Sequence, residues 1–141
     1  MVLMSAHDRV IPHLHQGSRP EPGCHPFDVL ILMAQEYQPR SRHFPCARAV
    51  VHAPIDDDPY HLEPSEYQSI MRASDFAVRA LHTGHRVLVT CNMGLNRSGV
   101  VTAMTLRRLG MSPDQAIGLV RRARGQRALS NPQFEALIRG A

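Results

Sequence analysis

The residues with the most evident chemistry are a cysteine and an arginine with five residues between them, in Cys91-Asn92-Met93-Gly94-Leu95-Asn96-Arg97-Ser98-Gly99. A thiolate is a strong nucleophile, and a guanidinium can meet two oxygens of an oxyanion with a planar fork that Lys could not copy. The apolar run Val87-Leu88-Val89 before them reads as a strand, and Val100-Val101-Thr102-Ala103-Met104 after them as a helix. A strand thus delivers Cys91 to a short loop, and Arg97 opens a helix. Backbone N–H groups and the dipole at a helix N-terminus suit a bound anion, and the same field, with Arg97, favours a thiolate over a thiol. Gly94 lets the loop turn its N–H groups inward without a Cβ clash. One loop can therefore hold an oxyanion and attack it. A buried structural cysteine beside a surface arginine is the plain alternative; strand before, helix after and Ser98 directly behind Arg97 weigh against it.

The elements that must position this loop follow from apolar patterning. Residues 10–18 read as one short edge strand, because Pro12 cannot donate to a ladder. Residues 19–26, with three prolines and a glycine, form a loop. Residues 27–34 are a continuous apolar run suited to a strand buried on both faces, and 47–55 give a second core strand ending in Asp56-Asp57-Asp58-Pro59. The polar stretch 35–46 allows at most one helical turn. Residues 65–82 are amphipathic, with Tyr67, Ile70, Met71, Ser74, Phe76, Ala77, Val78, Ala80 and Leu81 on the apolar face and Glu66 in the first turn. Residues 86–90 form the third core strand, feeding the Cys91 loop. Helices are expected over 99–109, over 113–124 behind a Ser112–Gln115 capping box, and over 133–139 behind Asn131-Pro132. Strands first, helices later and helical crossovers between them predict a single α/β domain over 1–141, with a small, largely parallel sheet flanked by helices. The Cys91 loop then lies at the carboxyl end of a strand, where open α/β sheets bind ligands.

Composition narrows the classes. The chain has 141 residues, 43% of them hydrophobic and 20% charged, with a net charge of +4, as in an ordinary globular domain. No run approaches a membrane span, and Met1 to Asp8 carries no export-type pattern. Three cysteines, Cys24, Cys46 and Cys91, are too few and odd for a secreted disulfide framework, so a cytoplasmic location is expected. After oxidation, either of the first two could pair with Cys91. Arg107, Arg108, Arg121, Arg122, Arg124, Arg127 and Arg139 crowd the C-terminal half and read either as a solvated basic face or as a surface for phosphorylated partners. Three Tyr, four Phe and no Trp give few stacking platforms for nucleic acid. The nine histidines show no paired metal-ligand spacing, so no metal site is expected.

With strand, loop and arginine placed, the chain resembles the cysteine-dependent phosphatases of the dual-specificity, protein-tyrosine-phosphatase-like group. Cys91-x5-Arg97-Ser98 is similar to the family's phosphate-binding signature, and Val87-Leu88-Val89 to its lead-in strand. Residues 11–18 resemble its opening strand, Pro54-Ile55-Asp56-Asp57 its general-acid loop, and 128–134 the start of its last helix. One position departs: the family usually has His before the cysteine, where it helps position the loop and lower the thiol pKa, and here Thr90 stands. A Thr hydroxyl could hydrogen-bond within the loop, but it supplies no imidazole.

The resemblance implies a metal- and cofactor-independent phosphatase acting on phosphomonoesters: phosphotyrosine by default, with phosphoserine or phosphothreonine, lipid, nucleotide and RNA phosphates open. Cys91 would be the nucleophile and Arg97 the phosphoryl clamp. The amides of Asn92, Met93, Gly94, Leu95, Asn96 and Arg97 would form the phosphate cradle, and Ser98 would serve the departing thiolate. The acid for the leaving group would be Asp57, with Asp56 and Asp58 as alternatives. The expected partner is a phosphorylated protein or another anionic phosphoester, and the expected state a monomer. Thr90 motivates the competing reading, a pseudophosphatase that binds phosphate without turnover.

Overall fold

The computed structural model describes residues 6–140; residues 1–5, part of the stretch read as free of an export signal, lie outside them. Five strands form one sheet: β1 His7–Ile11, β2 Leu14–Gly17, β3 Val29–Ala34, β4 Ala49–Ile55 and β5 Val87–Thr90. Their order is β1-β2-β5-β3-β4, with β1 antiparallel to β2 and every other pairing parallel. The apolar runs predicted as core strands become β3, β4 and β5; every residue of β3 and β5 is buried, as a strand covered on both faces requires. β5 lies between β2 and β3, so the loop that follows it leaves from the middle of the sheet.

The first strand differs from expectation. Residues 7–17 form a hairpin rather than one edge strand, turning at Pro12-His13, where His13 takes φ 72°. Pro12, which cannot donate, sits in the turn, and β2 lies inside the sheet beside β5.

Helices α1 Pro64–His82, α2 Arg97–Arg108, α3 Pro113–Arg124 and α4 Pro132–Gly140 share one large core with alternate sheet residues such as Leu14, Ile31 and Val89. In α1 the buried positions Ile70, Ala73, Ser74, Ala77 and Ala80 follow helical spacing, whereas Tyr67, expected on the apolar face, is exposed. Glu63 and Glu66 form the α1 capping box, and Ser112 with Gln115 forms the predicted one of α3. Helix α2 starts at Arg97, the residue expected to open it and two before the periodic stretch 99–109, and residues 97–106 are all buried. The hydroxyls of Thr102 and Thr105 donate to the carbonyls of Ser98 and Val101 one turn back, at 2.9 and 2.8 Å, which allows polar residues in this central helix.

The other sheet face carries a second, smaller cluster of Phe27, Leu30, Leu32, Phe44 and Leu88, with no helical residue in it. Its cover comes from the irregular segments 18–28 and 35–48, the latter holding only the 3₁₀ turn Ser41–His43. Gly23 N–H donates to the His43 carbonyl at 2.8 Å, and a disulfide joins Cys24 to Cys46 across the two segments. Pairing of either with Cys91 is thereby corrected. Cys91 is the free, buried cysteine at the end of β5, while its supposed partners hold each other on the loop face.

Candidate active site

The loop from Cys91 to Arg97 is held almost entirely through its carbonyls. The Gly94 carbonyl accepts from Gln16 Nε2 and from Arg124 Nε, each at 3.0 Å, and the Met93 carbonyl from Arg124 Nη2 at 3.3 Å. Asn92 O accepts from Arg19 N–H at 3.4 Å, Leu95 O from Leu129 N–H at 3.3 Å, and Asn96 O from Val100 N–H at 2.9 Å. Among the described residues, no acceptor meets the N–H of Asn92, Met93, Gly94, Leu95 or Asn96. Backbone donors are rarely left without a partner, and here a run of them is gathered at the N-terminus of α2. Such a run forms a concavity suited to an anion.

Gly94 is required where it stands. Its φ is 71°, and an added Cβ would lie 2.5 Å from the Gly17 carbonyl carbon, 2.7 Å from Ser18 N and 2.7 Å from Arg124 Nη2. The loop is thus pressed against the end of β2 and the Arg124 guanidinium. Arg124, whose side chain is fully buried, also pairs with Asp8 at 2.7 Å.

Cys91 Sγ lies 3.2 Å from Ser98 Oγ, and both residues are buried. Arg97, at the same helix start, presents Nη1 to Glu36 Oε1 at 2.6 Å and Nη2 to Glu36 Oε2 at 3.2 Å, and Nη1 also reaches the Ile55 carbonyl at 3.4 Å. This leaves the Nε edge of the fork without an acceptor among the described residues. Burial works to lower the Arg97 pKa, but the Glu36 hydrogen bond, with the nearby Cys91, Glu36 and Asp57 charges, raises it above the ordinary value. The Arg97 bond in turn holds Glu36 below the usual carboxylate value.

The three neighbouring aspartates separate by what they touch. Asp56 Oδ1 accepts from the Asp57 N–H at 2.8 Å, and Asp58 Oδ1 from the Tyr60 N–H at 2.8 Å, so both stabilise their own turn. Asp57 faces the loop, its Oδ2 accepting from Asn96 Nδ2 at 3.0 Å and its Oδ1 from Asn131 Nδ2 at 2.6 Å. Asn96 Oδ1 accepts from the Ser130 N–H at 2.8 Å, and Asn131 Oδ1 caps α4 through the Gln133 N–H at 2.9 Å. Two amides therefore tie the aspartate turn, the Cys91–Arg97 loop and the start of α4 together.

Several expectations are corrected here. Thr90 makes no bond within the loop; its hydroxyl donates to the Ile31 carbonyl on β3 at 3.3 Å, because its place on β5 aims it along the sheet. The C-terminal arginines do not form one basic face. Arg121 donates to the Ala128 and Leu129 carbonyls, Arg107 to the Met111 carbonyl, and Arg108 and Arg139 pair with Asp75 and Asp114. With Arg124 under the loop, most of that charge stabilises the fold.

Glu36, Gln16, Arg19, Arg124 and Asn131 were missed as site residues. They lie far from Cys91 in sequence, and it is the tertiary packing of sheet, segments and helices that brings them to the loop. Arg124 carried a faint signal, a cation on the inward, apolar side of an amphipathic helix.

A mostly parallel sheet with a Cys–Arg loop leaving its central strand and opening a buried helix defines the protein-tyrosine-phosphatase-like architecture. Residues 25–139 match the family model "Dual specificity phosphatase, catalytic domain", and the chain belongs to that family. A mouse putative dual specificity phosphatase, solved in complex with zinc tungstate, is similar at 25% identity and TM-score 0.78, over 96% of this chain and 85% of that one. Human DUSP28 superimposes with TM-score 0.78 at 23% identity, over 98% of this chain and 93% of that one. OH1 from the Orf virus, described as a tyrosine phosphatase with triple substrate specificity, shares the fold at TM-score 0.66 and 18% identity, over 98% and 87%. No curated protein matches the sequence. No helix among the described residues is long and apolar enough to cross a membrane.

Proposed function

We propose that this chain hydrolyses phosphomonoesters through a cysteinyl-phosphate, with phosphotyrosine in proteins as the first substrate class. The observation that carries this reading is the loop's hydrogen-bond balance: its carbonyls accept from Gln16, Arg19, Arg124 and Leu129, while five successive amides between Cys91 and Arg97, and Arg97 Nε, meet no acceptor among the described residues. That is a preorganised oxyanion site around a nucleophile.

In the proposed reaction, Cys91 Sγ attacks phosphorus as the bond to the leaving oxygen breaks. Asp57 gives that oxygen its proton. Water then attacks the phosphocysteine, Asp57 takes the proton from the water, and phosphate departs as the thiolate reforms. Ser98 Oγ, 3.2 Å from Sγ, donates to that thiolate in this reading. Asn96 and Asn131 favour Asp57 over Asp56 and Asp58, whose carboxylates are committed to their own turn. A monomer acting in the cytoplasm on phosphoproteins or other phosphoesters completes the proposal.

Thr90 supports the pseudophosphatase reading, since its hydroxyl leaves the loop for β3. Metal-free hydrolysis of p-nitrophenyl phosphate separates the two. Wild type should turn over while Cys91→Ser loses about 10⁴-fold or more in kcat and still binds vanadate. Equal inactivity of both proteins, with vanadate bound by each, would overturn the enzyme reading. Asp57→Asn should flatten the basic limb of the kcat profile; an unchanged profile would move the acid to a neighbour.

A further inference from the structure

The loop face of the sheet carries a feature that catalysis does not use. Cys24 and Cys46 form a disulfide between segments 18–28 and 35–48, both cysteines are exposed, and each segment also reaches the phosphate-binding loop. From the first, Arg19 N–H donates to the Asn92 carbonyl, and Arg19 Nη2 donates to Asn92 Oδ1 at 3.2 Å. From the second, Glu36 grips both terminal nitrogens of Arg97. The two segments meet between these contacts, where the Tyr37 hydroxyl donates to the Pro20 carbonyl at 2.8 Å and the Arg19 guanidinium sits 4.6 Å above the Tyr37 ring. The five-residue cluster beneath the segments is small, and of their side chains Tyr37 packs against the large helical core while Glu36 meets Arg97 of α2. The disulfide adds a covalent tie to the hydrogen bonds and ring contacts, among them Gly23 to His43 and Tyr37 to Pro20, that set their relative position.

We propose that Cys24–Cys46 is a thiol-reversible modification site that sets how firmly Arg19 and Glu36 hold Asn92 and Arg97, the disulfide form being the more active one. An exposed disulfide in a cytoplasmic protein has a transient or redox-sensing role more often than a structural one. A small thiolate such as glutathione attacks one exposed sulfur, forms a mixed disulfide and expels the other cysteine as a thiolate, which takes up a proton. A second glutathione attacks the mixed disulfide, releasing the second cysteine and oxidised glutathione. Two electrons pass from two thiols to the protein disulfide, and oxidised glutathione reverses the exchange. The two cysteines satisfy each other, so this switch operates without consuming Cys91.

The activity part of this inference rests on the proposed phosphatase reading; the anion-binding part does not. Full-length protein is equilibrated in glutathione buffers of graded ratio and alkylated after acid quench and unfolding. Mass spectrometry then counts free thiols, with Cys91 followed separately. The oxidised form should show one alkylated cysteine and the reduced form three. With Cys91 free in both, kcat/KM for p-nitrophenyl phosphate should fall about tenfold on reduction, the scale expected when positioning groups loosen by a fraction of an ångström. The Cys24→Ser/Cys46→Ser double variant should match reduced wild type and ignore the buffer. Circular dichroism on both forms, well below the unfolding temperature, separates loosening from unfolding. Tyr37→Phe, which cuts the Pro20 contact and leaves the disulfide as more of the tie between the segments, should enlarge the redox ratio.

Vanadate binding by calorimetry keeps the two readings apart. A chain that turns over nothing, yet binds vanadate several-fold more weakly when reduced, retains the coupling and loses the phosphatase reading. Turnover equal within twofold in the two thiol states, or three alkylated cysteines even in oxidised glutathione, overturns the proposal.

Discussion

The two faces of the sheet stabilise the same loop by different means. On the helical face, α2 is buried over its first ten residues, Arg124 from α3 fixes two loop carbonyls, and Leu129 fixes a third. On the other face, two irregular segments bring Arg19 and Glu36 to the same loop over a cluster of five buried apolar residues. Interlocked helices leave little freedom, so the helical side sets where Cys91, Ser98 and the amide run stand. Segments without regular structure open locally at lower free energy. The contacts they supply are the adjustable ones. Cys91 is thus built on the rigid face and the counter-charge of Arg97 on the softer one.

Breaking the rigid side should give the largest stability effect. Arg124→Met removes a buried cation that satisfies Gly94 O, Met93 O and Asp8 together. A loss of about 3–5 kcal/mol is expected from leaving such partners uncompensated, read by urea unfolding, and vanadate binding should be lost even where the protein remains folded. Arg124→Lys should recover little, because one ammonium cannot span the carbonyls and the carboxylate that the fork meets. If Arg124→Met were as stable as wild type and still bound vanadate, the loop would not depend on the helical face.

A matched pair of truncations sharpens the contrast. Phe134 in α4 and Phe44 in the loop cover are both nearly fully buried, at 1% and 2% exposure. Truncating a buried Phe to Ala costs about 3–5 kcal/mol, and the cost depends on how far the surroundings can collapse into the cavity. Phe134→Ala should fall at the upper end, because α2 and α4 cannot both move inward. Phe44→Ala should fall at or below the lower end, because segments 18–28 and 35–48 can settle onto Leu30 and Leu88. Equal losses in urea unfolding would remove the distinction between the faces.

The same division decides what was legible in the sequence. The strand–Cys91–Arg97–helix unit is local, so spacing and patterning alone reveal the loop, the sheet position and most of α1 to α4. The hairpin at Pro12-His13 was hidden because the turn itself contains no Gly or Asn to mark it, and His13 takes the left-handed conformation itself. The choice among Asp56, Asp57 and Asp58 depends on which one meets Asn96 and Asn131, a relation across 39 and 74 residues of chain. The arginine cluster misled for the complementary reason. Composition counts charges but does not say which way they face, and Arg121 and Arg124 face inward. Glu36 follows a core strand with nothing in its neighbourhood to mark it; only the pairing of β3 beside β5 brings it over Arg97.

The Arg97–Glu36 pair joins the two faces and gives the smallest of these effects. Glu36 has its folded-state pKa depressed below 4.5 by the Arg97 hydrogen bond. As pH falls, the unfolded chain therefore takes up this proton first. The contribution is fully present above the unfolded value and disappears as pH falls through the lower folded one. Arg97 is 9% exposed but Glu36 is 47% exposed, so solvent screens the pair and its contribution should stay within about 1 kcal/mol. Glu36→Gln keeps the side-chain shape and removes the charge. Its melting temperature should lie slightly below that of wild type at pH 7, and the gap should close as pH drops below 4.5. Raising the salt concentration at pH 7 should narrow the gap only in part, because the arginine end is buried. A gap that persisted unchanged at pH 3 would mean that Glu36 contributes by packing rather than by charge, and that the soft face does not hold Arg97 through an ion pair.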